Sequence, residues 1–209
     1  MLNWTPNHDP RSRNYPVGVM LLGEERAATT WNVGPVLNQG ADGACVGYAF
    51  ASAIGAPVPE AAAGAAERIY AIAKTLDQFP GEDYSGTSVT AGAKAAKALG
   101  YLESYRWAFG HEDVLDALCT VGPVVLGLYW TERMMHPVNG LMAAEGAIMG
   151  GHCTIANAYH PAAPEAGGRP AIRIQNSYGT AWGIEGAAWL PVSDLITVLQ
   201  RQGEACVPA

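Results

Sequence analysis

Basic charge is in short supply. Against 19 acidic side chains the sequence sets 12 lysines and arginines, a formal net charge of −7. Such a chain is repelled by phosphate backbones and anionic lipid, which argues against nucleic acid or a membrane surface as the main partner. Cysteine is sparse as well. Cys45, Cys119, Cys153 and Cys206 form no CxxC pair and show no metal-ligand spacing, so no metal site is expected. An even count permits two disulfides, but nothing in the spacing asks for them. No apolar run reaches the length of a membrane span. The opening stretch, MLNWTPNHDPRSRNYPVG, lacks the basic-then-apolar layout of a secretory leader. Together these absences point to reduced thiols in a cytoplasm, or in something assembled there.

What is present is globular. Of 209 residues 49% are hydrophobic and 15% charged, enough for one domain, or one two-lobed unit, with a real core. Residues 1–38, rich in Pro, Asn, Asp and Gly, read as an extended arm. Helices are predicted over about 45–55, over about 60–76, where Ile69, Ile72 and Leu76 recur at helical spacing, and from Ser88 to Leu99, with Thr87 or Ser88 as cap and Gly100 as stop. FPGEDYSGT, between the last two, reads as a loop. After residue 110 a short helix, HEDVLDAL, gives way to four strands, PVVLGLYW, CTIANAY, AIRIQNSY and AAWLP, with PAAPEAGGRP (161–170) as a polar insertion. Helices first and strands second is a segregated α+β pattern with two lobes.

The segment GADGACVGYAFASAIG places Cys45 behind a glycine-rich turn and at the start of an apolar helix. By itself a free cysteine reads as a small buried hydrophobe. At a helix N-terminus, however, the dipole and unpaired N–H groups favour thiolate. A thiolate nucleophile needs a base, an orienting partner for the base, and donors for the oxyanion. His152 opens the strand GGHCTIANAY, where Gly150 and Gly151 leave space beside the ring, and Asn176 lies near the end of AIRIQNSYGTAWG. Gln39 stands six residues before Cys45. Strand alternation turns Cys153 to the face opposite His152 and into the core, so the adjacent His–Cys pair is not a metal site.

These segments resemble the papain-like cysteine peptidases. NQGADGAC is similar to that family's NQGxCGSC stretch, NSYGTAWG to its NSWGTGWG, and GGHCTIANAY to the strand that carries its histidine. ALCTVGPVVLGL resembles the helix-to-strand passage before that strand. GEDYSGTSVTAGAKAAKALGY is similar to the substrate-groove loop and helix of bacterial members, and NWTPNHDPRSRNYPV to their N-terminal arm. The resemblance implies a single papain-like domain over 1–209: the arm, a helical lobe over about 39–110, and an antiparallel, barrel-like β lobe over about 111–209, with the cleft between. It implies a peptidase of bacterial or phage type, without a propeptide and without a cofactor, cutting peptides or proteins through an acyl-enzyme. Cys45 would be the nucleophile, with its thiol pKa well below the free value, and His152 its ion-pair partner and general acid. Asn176 would orient the ring, and Gln39 would join the Cys45 N–H in the oxyanion hole. Gly86, Thr87 and Gly151 would bind substrate, and Tyr178 and Trp182 would support the site.

Several positions depart from the family. Asp42 stands where it has a disulfide cysteine, in keeping with a reducing cytoplasm, or a virion if the source is a phage. Val46 replaces an aromatic, Thr87 a groove glycine, and Tyr178 the tryptophan that shields the His–Asn hydrogen bond. The Cys45-to-His152 separation falls short of the roughly 130–150 residues usual for the family. Two other readings stay open: a cell-wall peptide hydrolase, and a non-catalytic binding or structural component, for example of a phage particle.

Overall fold

Helix α1 (Cys45–Ala53) has no polar face, and every residue from Cys45 to Ser52 is buried; such a helix belongs inside. In the computed structural model, which describes residues 2–18, 25–55, 58–79 and 85–209, α1 is held between two alanine-rich helices. These are α2 (Pro59–Leu76) and α3 (Val89–Ala98). Pro59 opens α2 where a missing N–H costs nothing. The Ser88 hydroxyl caps α3 by accepting from the Ala91 N–H at 3.1 Å. Gly100, with φ of +74°, ends it.

Small residues let these helices approach. A Cβ on Gly47 of α1 would stand 2.2 Å from the Ala66 carbonyl oxygen of α2. The buried face of α2 is Ala62, Ala65, Ala66, Ile69 and Ala73. Of the apolar repeat seen in the sequence, only Ile69 points inward, whereas Ile72 and Leu76 are 37% and 42% exposed.

Among the described residues, strands β1 (Thr29–Thr30), β2 (Tyr105–Trp107), β3 (Val124–Thr131), β4 (Ile148–Ala163), β5 (Arg169–Gln175), β6 (Ala187–Pro191) and β7 (Glu204–Pro208) form one antiparallel sheet. Its order is β2-β7-β3-β4-β5-β6, with β1 added on β4. Alternation along β3 splits the core. Val124, Leu126, Leu128 and Trp130 pack with α4 (His111–Thr120) and α6 (Val192–Gln200), whereas Val125 packs with Val46 and Phe50 of α1.

Some elements differ from the sequence expectation. Strands β4 and β5 run into the segment predicted as an insertion, which shrinks to a turn over residues 164–168. The strand predicted over AIRIQNSY ends at Gln175, so Asn176 leaves the ladder. β2, β7, α6 and a single turn at Glu132–Met135 (α5) were not predicted. The arm carries a 3-10 turn at Pro10–Asn14 and strand β1. Its residues 19–24, and 80–84 of the predicted loop, lie outside the described residues.

Candidate active site

Cys45 is the first residue of α1, so its sulfur sits where the helix N–H groups have no carbonyl partner. Three backbone N–H groups reach it, from Cys153, Asn3 and Val46. They favour thiolate, yet Cys45 is wholly buried and burial pushes its thiol up. The expectation of a depressed pKa therefore fails for this arrangement. Desolvation of the sulfur outweighs the three donors.

His152 lies on β4 opposite Leu128 of β3 and is fully buried. Its Nε2 donates to Asn176 Oδ1 at 2.7 Å. The same oxygen accepts from the Ser177 N–H at 2.8 Å. A backbone donor cannot be inverted, so the amide orientation is settled, and with it the tautomer. The proton is on Nε2 and the lone pair on Nδ1. Among the described residues Nδ1 has no hydrogen-bond partner. Burial drives the His152 pKa down to about 4, against the raising effect of Asn176, so the resting ring is neutral.

Two aromatic rings hold that imidazole. Tyr178 is stacked on it with centroids 4.8 Å apart and an interplanar angle of 27°. Trp130 meets it edge-on at 4.8 Å and 77°. Trp182 stands one layer further out, tilted against Trp130 at 6.2 Å, with its indole N–H bonded to the Met135 carbonyl. Cys153 turns away from His152, as alternation requires, and packs with Val46 and Phe50.

Gln39 reaches the site through pairing between two loops. Its N–H donates to the Ser177 carbonyl at 2.9 Å, and Asn38 pairs with Tyr178. The Ser177 hydroxyl donates to Gln39 Oε1 at 2.7 Å, which turns the amide nitrogen toward the Asp42 carbonyl, 2.6 Å away. Ser177 and Trp130 are site residues that sequence reasoning missed. Ser177 lay inside the quoted NSYGTAWG motif, beside Asn176; Trp130 had no signal beyond an apolar strand.

The four candidates thus form one connected unit. Asn176 holds His152, the residue after Asn176 holds Gln39, and the residue after His152 gives its N–H to Cys45. Gly86, Thr87 and Gly151 lie beside it, contacted by residues 3–5 of the arm. All four cysteines are free thiols. No helix among the described residues is long and apolar enough to cross a membrane.

No protein-family model matches the sequence, and no curated protein does. Solved structures do match. Xylellain, a cysteine protease from Xylella fastidiosa, aligns over 99% of this chain and 95% of its own with a TM-score of 0.74 and 16% identity. Digestive procathepsin L 3 from the Tenebrio molitor larval midgut aligns over 94% of this chain and 74% of its own, with a TM-score of 0.68 and 14% identity. Bromelain from Ananas comosus, solved with the inhibitor E64, aligns over 89% and 99%, with a TM-score of 0.60 and 15% identity. The chain has the papain-like α+β fold.

Proposed function

We propose that this protein is a cysteine peptidase that cleaves peptide bonds at Cys45. The observation that carries the reading is the state of His152. Its Nε2–H is committed to Asn176, its neutral Nδ1 has no partner among the described residues, and the next residue gives its N–H to the Cys45 sulfur. That is a base poised to take a proton beside a thiol that must lose one.

As the thiol proton passes to His152 Nδ1, the sulfur attacks the scissile carbonyl carbon and the carbonyl π pair moves onto oxygen. Gln39 Nε2–H and the Cys45 N–H receive that oxyanion. The pair returns as the C–N bond breaks, and Nδ1–H protonates the departing amine. Water, giving a proton to the same nitrogen, then releases the acyl group from sulfur. Thiolate and imidazolium offset each other's desolvation, so the ion pair forms where either charge alone would not. The structural likeness to proteases supports this reading, and the intact set of Cys45, His152, Asn176 and Gln39 favours catalysis over a purely structural role.

The test is a fluorogenic peptide library together with an epoxysuccinyl thiol trap. Hydrolysis and a single trap adduct on Cys45 are expected, both lost in Cys45→Ala. Absence of hydrolysis together with absence of a trap adduct on Cys45 would overturn the reading.

A further inference from the structure

On the helical side of the site, next to Cys45, a cavity of about 300 Å³ opens between α1, α2 and the loop that leads into α1. It is lined by Asp42, Gly43, Tyr48, Glu67, Tyr70 and Ser85. We propose that this cavity takes a lysine or arginine side chain from the residue that supplies the scissile carbonyl, and that Asp42 and Glu67 select that residue. The proposal rests on the reading of Cys45 as the nucleophile and adds which substrates it cuts.

The charge of the cavity is unbalanced. Neither the Asp42 nor the Glu67 carboxylate forms an ion pair among the described residues. Of the basic side chains on α2, Arg68 stands over Tyr101 and Lys74 over Tyr70, each 5.8 Å from the ring centroid, and neither lines the cavity. Tyr48 is only 7% exposed, yet its hydroxyl has no hydrogen-bond partner among the described residues. Burial pushes its phenol pKa up, and Glu67 and Asp42 push it the same way, so both carboxylates act on one hydroxyl. Two carboxylates and a phenol oxygen are three acceptors around one space, which suits the three donors of an ammonium group or the fork of a guanidinium. The rings of Tyr48 and Tyr70 add faces that attract a cation. Asp42 is a carboxylate where the papain-like pattern has a disulfide cysteine, so the charge here is this chain's own.

The cavity lies one side chain away from the sulfur. Asn3, whose backbone N–H reaches the Cys45 sulfur, sends its amide nitrogen to Ser85 Oγ at 2.6 Å, at the cavity wall. Gly43 keeps that doorway open, because a Cβ there would stand 2.5 Å from the same nitrogen and 2.3 Å from Ser85 Oγ. A longer side chain starting from the same place would pass into the cavity. The side of the scissile bond follows from the chemistry. The leaving amine takes its proton from His152 on β4, and no residue of β4 lines the cavity. The residue on the acyl side, held by the Gln39 and Cys45 donors, is the one that faces it.

The experiment measures how fast peptidyl chloromethyl ketones alkylate Cys45 when they differ only in the residue next to the ketone: lysine, norleucine or glutamate. Fluorogenic peptide amides of the same series give kcat/KM. Lysine should exceed norleucine about tenfold, glutamate should fall below norleucine, and the advantage of lysine should shrink as salt rises. The lysine-to-norleucine ratio should drop about threefold in Asp42→Asn and in Glu67→Gln, and to near one in the double variant. Both reagents act on the same protein, so loss of folded material cancels from the ratio. Equal labelling by the lysine and norleucine reagents, or a full ratio in the double variant, overturns the cavity and leaves the peptidase reading in place. Preferential labelling of Cys45 by the lysine reagent with no amide hydrolysed keeps the cavity and overturns the peptidase reading. No labelling by any reagent overturns both.

Discussion

Tyr178 lies flat on the His152 imidazole, centroids 4.8 Å apart, and its hydroxyl is buried with no hydrogen-bond partner among the described residues. The ring stacks on the imidazole, while the hydroxyl carries a desolvation cost that burial expresses by pushing the phenol pKa up. Tyr178→Phe keeps the stacked ring and removes the orphan oxygen. It should raise stability by about 1 kcal/mol, or roughly 2–4 °C in Tm for a chain of this size. A calorimetric scan of the two proteins decides it, and an unchanged or lower Tm would mean that the hydroxyl is satisfied in solution.

A larger ring should act on the chemistry instead. Excluding water strengthens the Nε2–H···O bond, which favours the imidazolium and raises its pKa in the ion pair. The leaving amine needs that proton, so Tyr178→Trp should move the alkaline limb of the kcat/KM profile upward and leave the acidic limb in place. Superimposable profiles would reduce Tyr178 to a packing residue.

Ser177 is the residue that fixes the Gln39 amide, through its 2.7 Å bond to Oε1. Ser177→Ala should let that amide turn and should lower kcat about tenfold with KM little changed. Gln39→Ala, which deletes the donor itself, should cost roughly 10²–10³ in kcat. Steady-state kinetics on a chemistry-limited substrate gives the split. A rise in KM in place of the loss in kcat would assign Ser177 to binding.

Two buried groups should give stability opposing pH dependences. Glu204 has its pKa raised to about 7 by burial, so the folded state holds a proton that the unfolded chain loses above its ordinary value. Stability from this group is full at low pH and falls as pH rises toward 7. His152, lowered to about 4, works the other way. Its contribution is full near neutrality and is lost as pH falls from the ordinary imidazole value toward 4. Each is worth about 3 kcal/mol at most, so the wild type should show a shallow slope between about pH 5 and 6. Glu204→Gln should expose the histidine alone, with urea-unfolding free energy rising with pH across that window. A slope equal to that of the wild type would rule out the assignment to Glu204.

The candidate site was legible through several segments taken together. Cys45 alone reads as a buried hydrophobe, and only the resemblance of NQGADGAC, GGHCTIANAY and NSYGTAWG to one family singles out Gln39, Cys45, His152 and Asn176. The positions of α1, α2 and α3 were legible too, although only α3 has the serine cap that was expected and the apolar repeat of α2 turns outward at Ile72 and Leu76. β7, the three-residue β2 and the one-turn α5 are too short for periodicity to register. α6 carries only two buried residues, Leu195 and Val198, too thin an apolar stripe to stand out directly after β6. The inward face of α2 is alanine apart from Ile69, and α1 comes close to it at Gly47 and Ala66.

Sequence by itself determined which groups are candidates for chemistry, because residue identity and local backbone fix what a side chain can donate, accept or ionise. Only tertiary structure decided what those groups meet. It set the arm on the cleft, brought Trp4 onto Glu204 two hundred residues away, and turned Ser177 onto Gln39. It also raised the Cys45 thiol where the local helix end would lower it. Desolvation depends on everything packed around an atom, and that sum is made by segments distant in the chain.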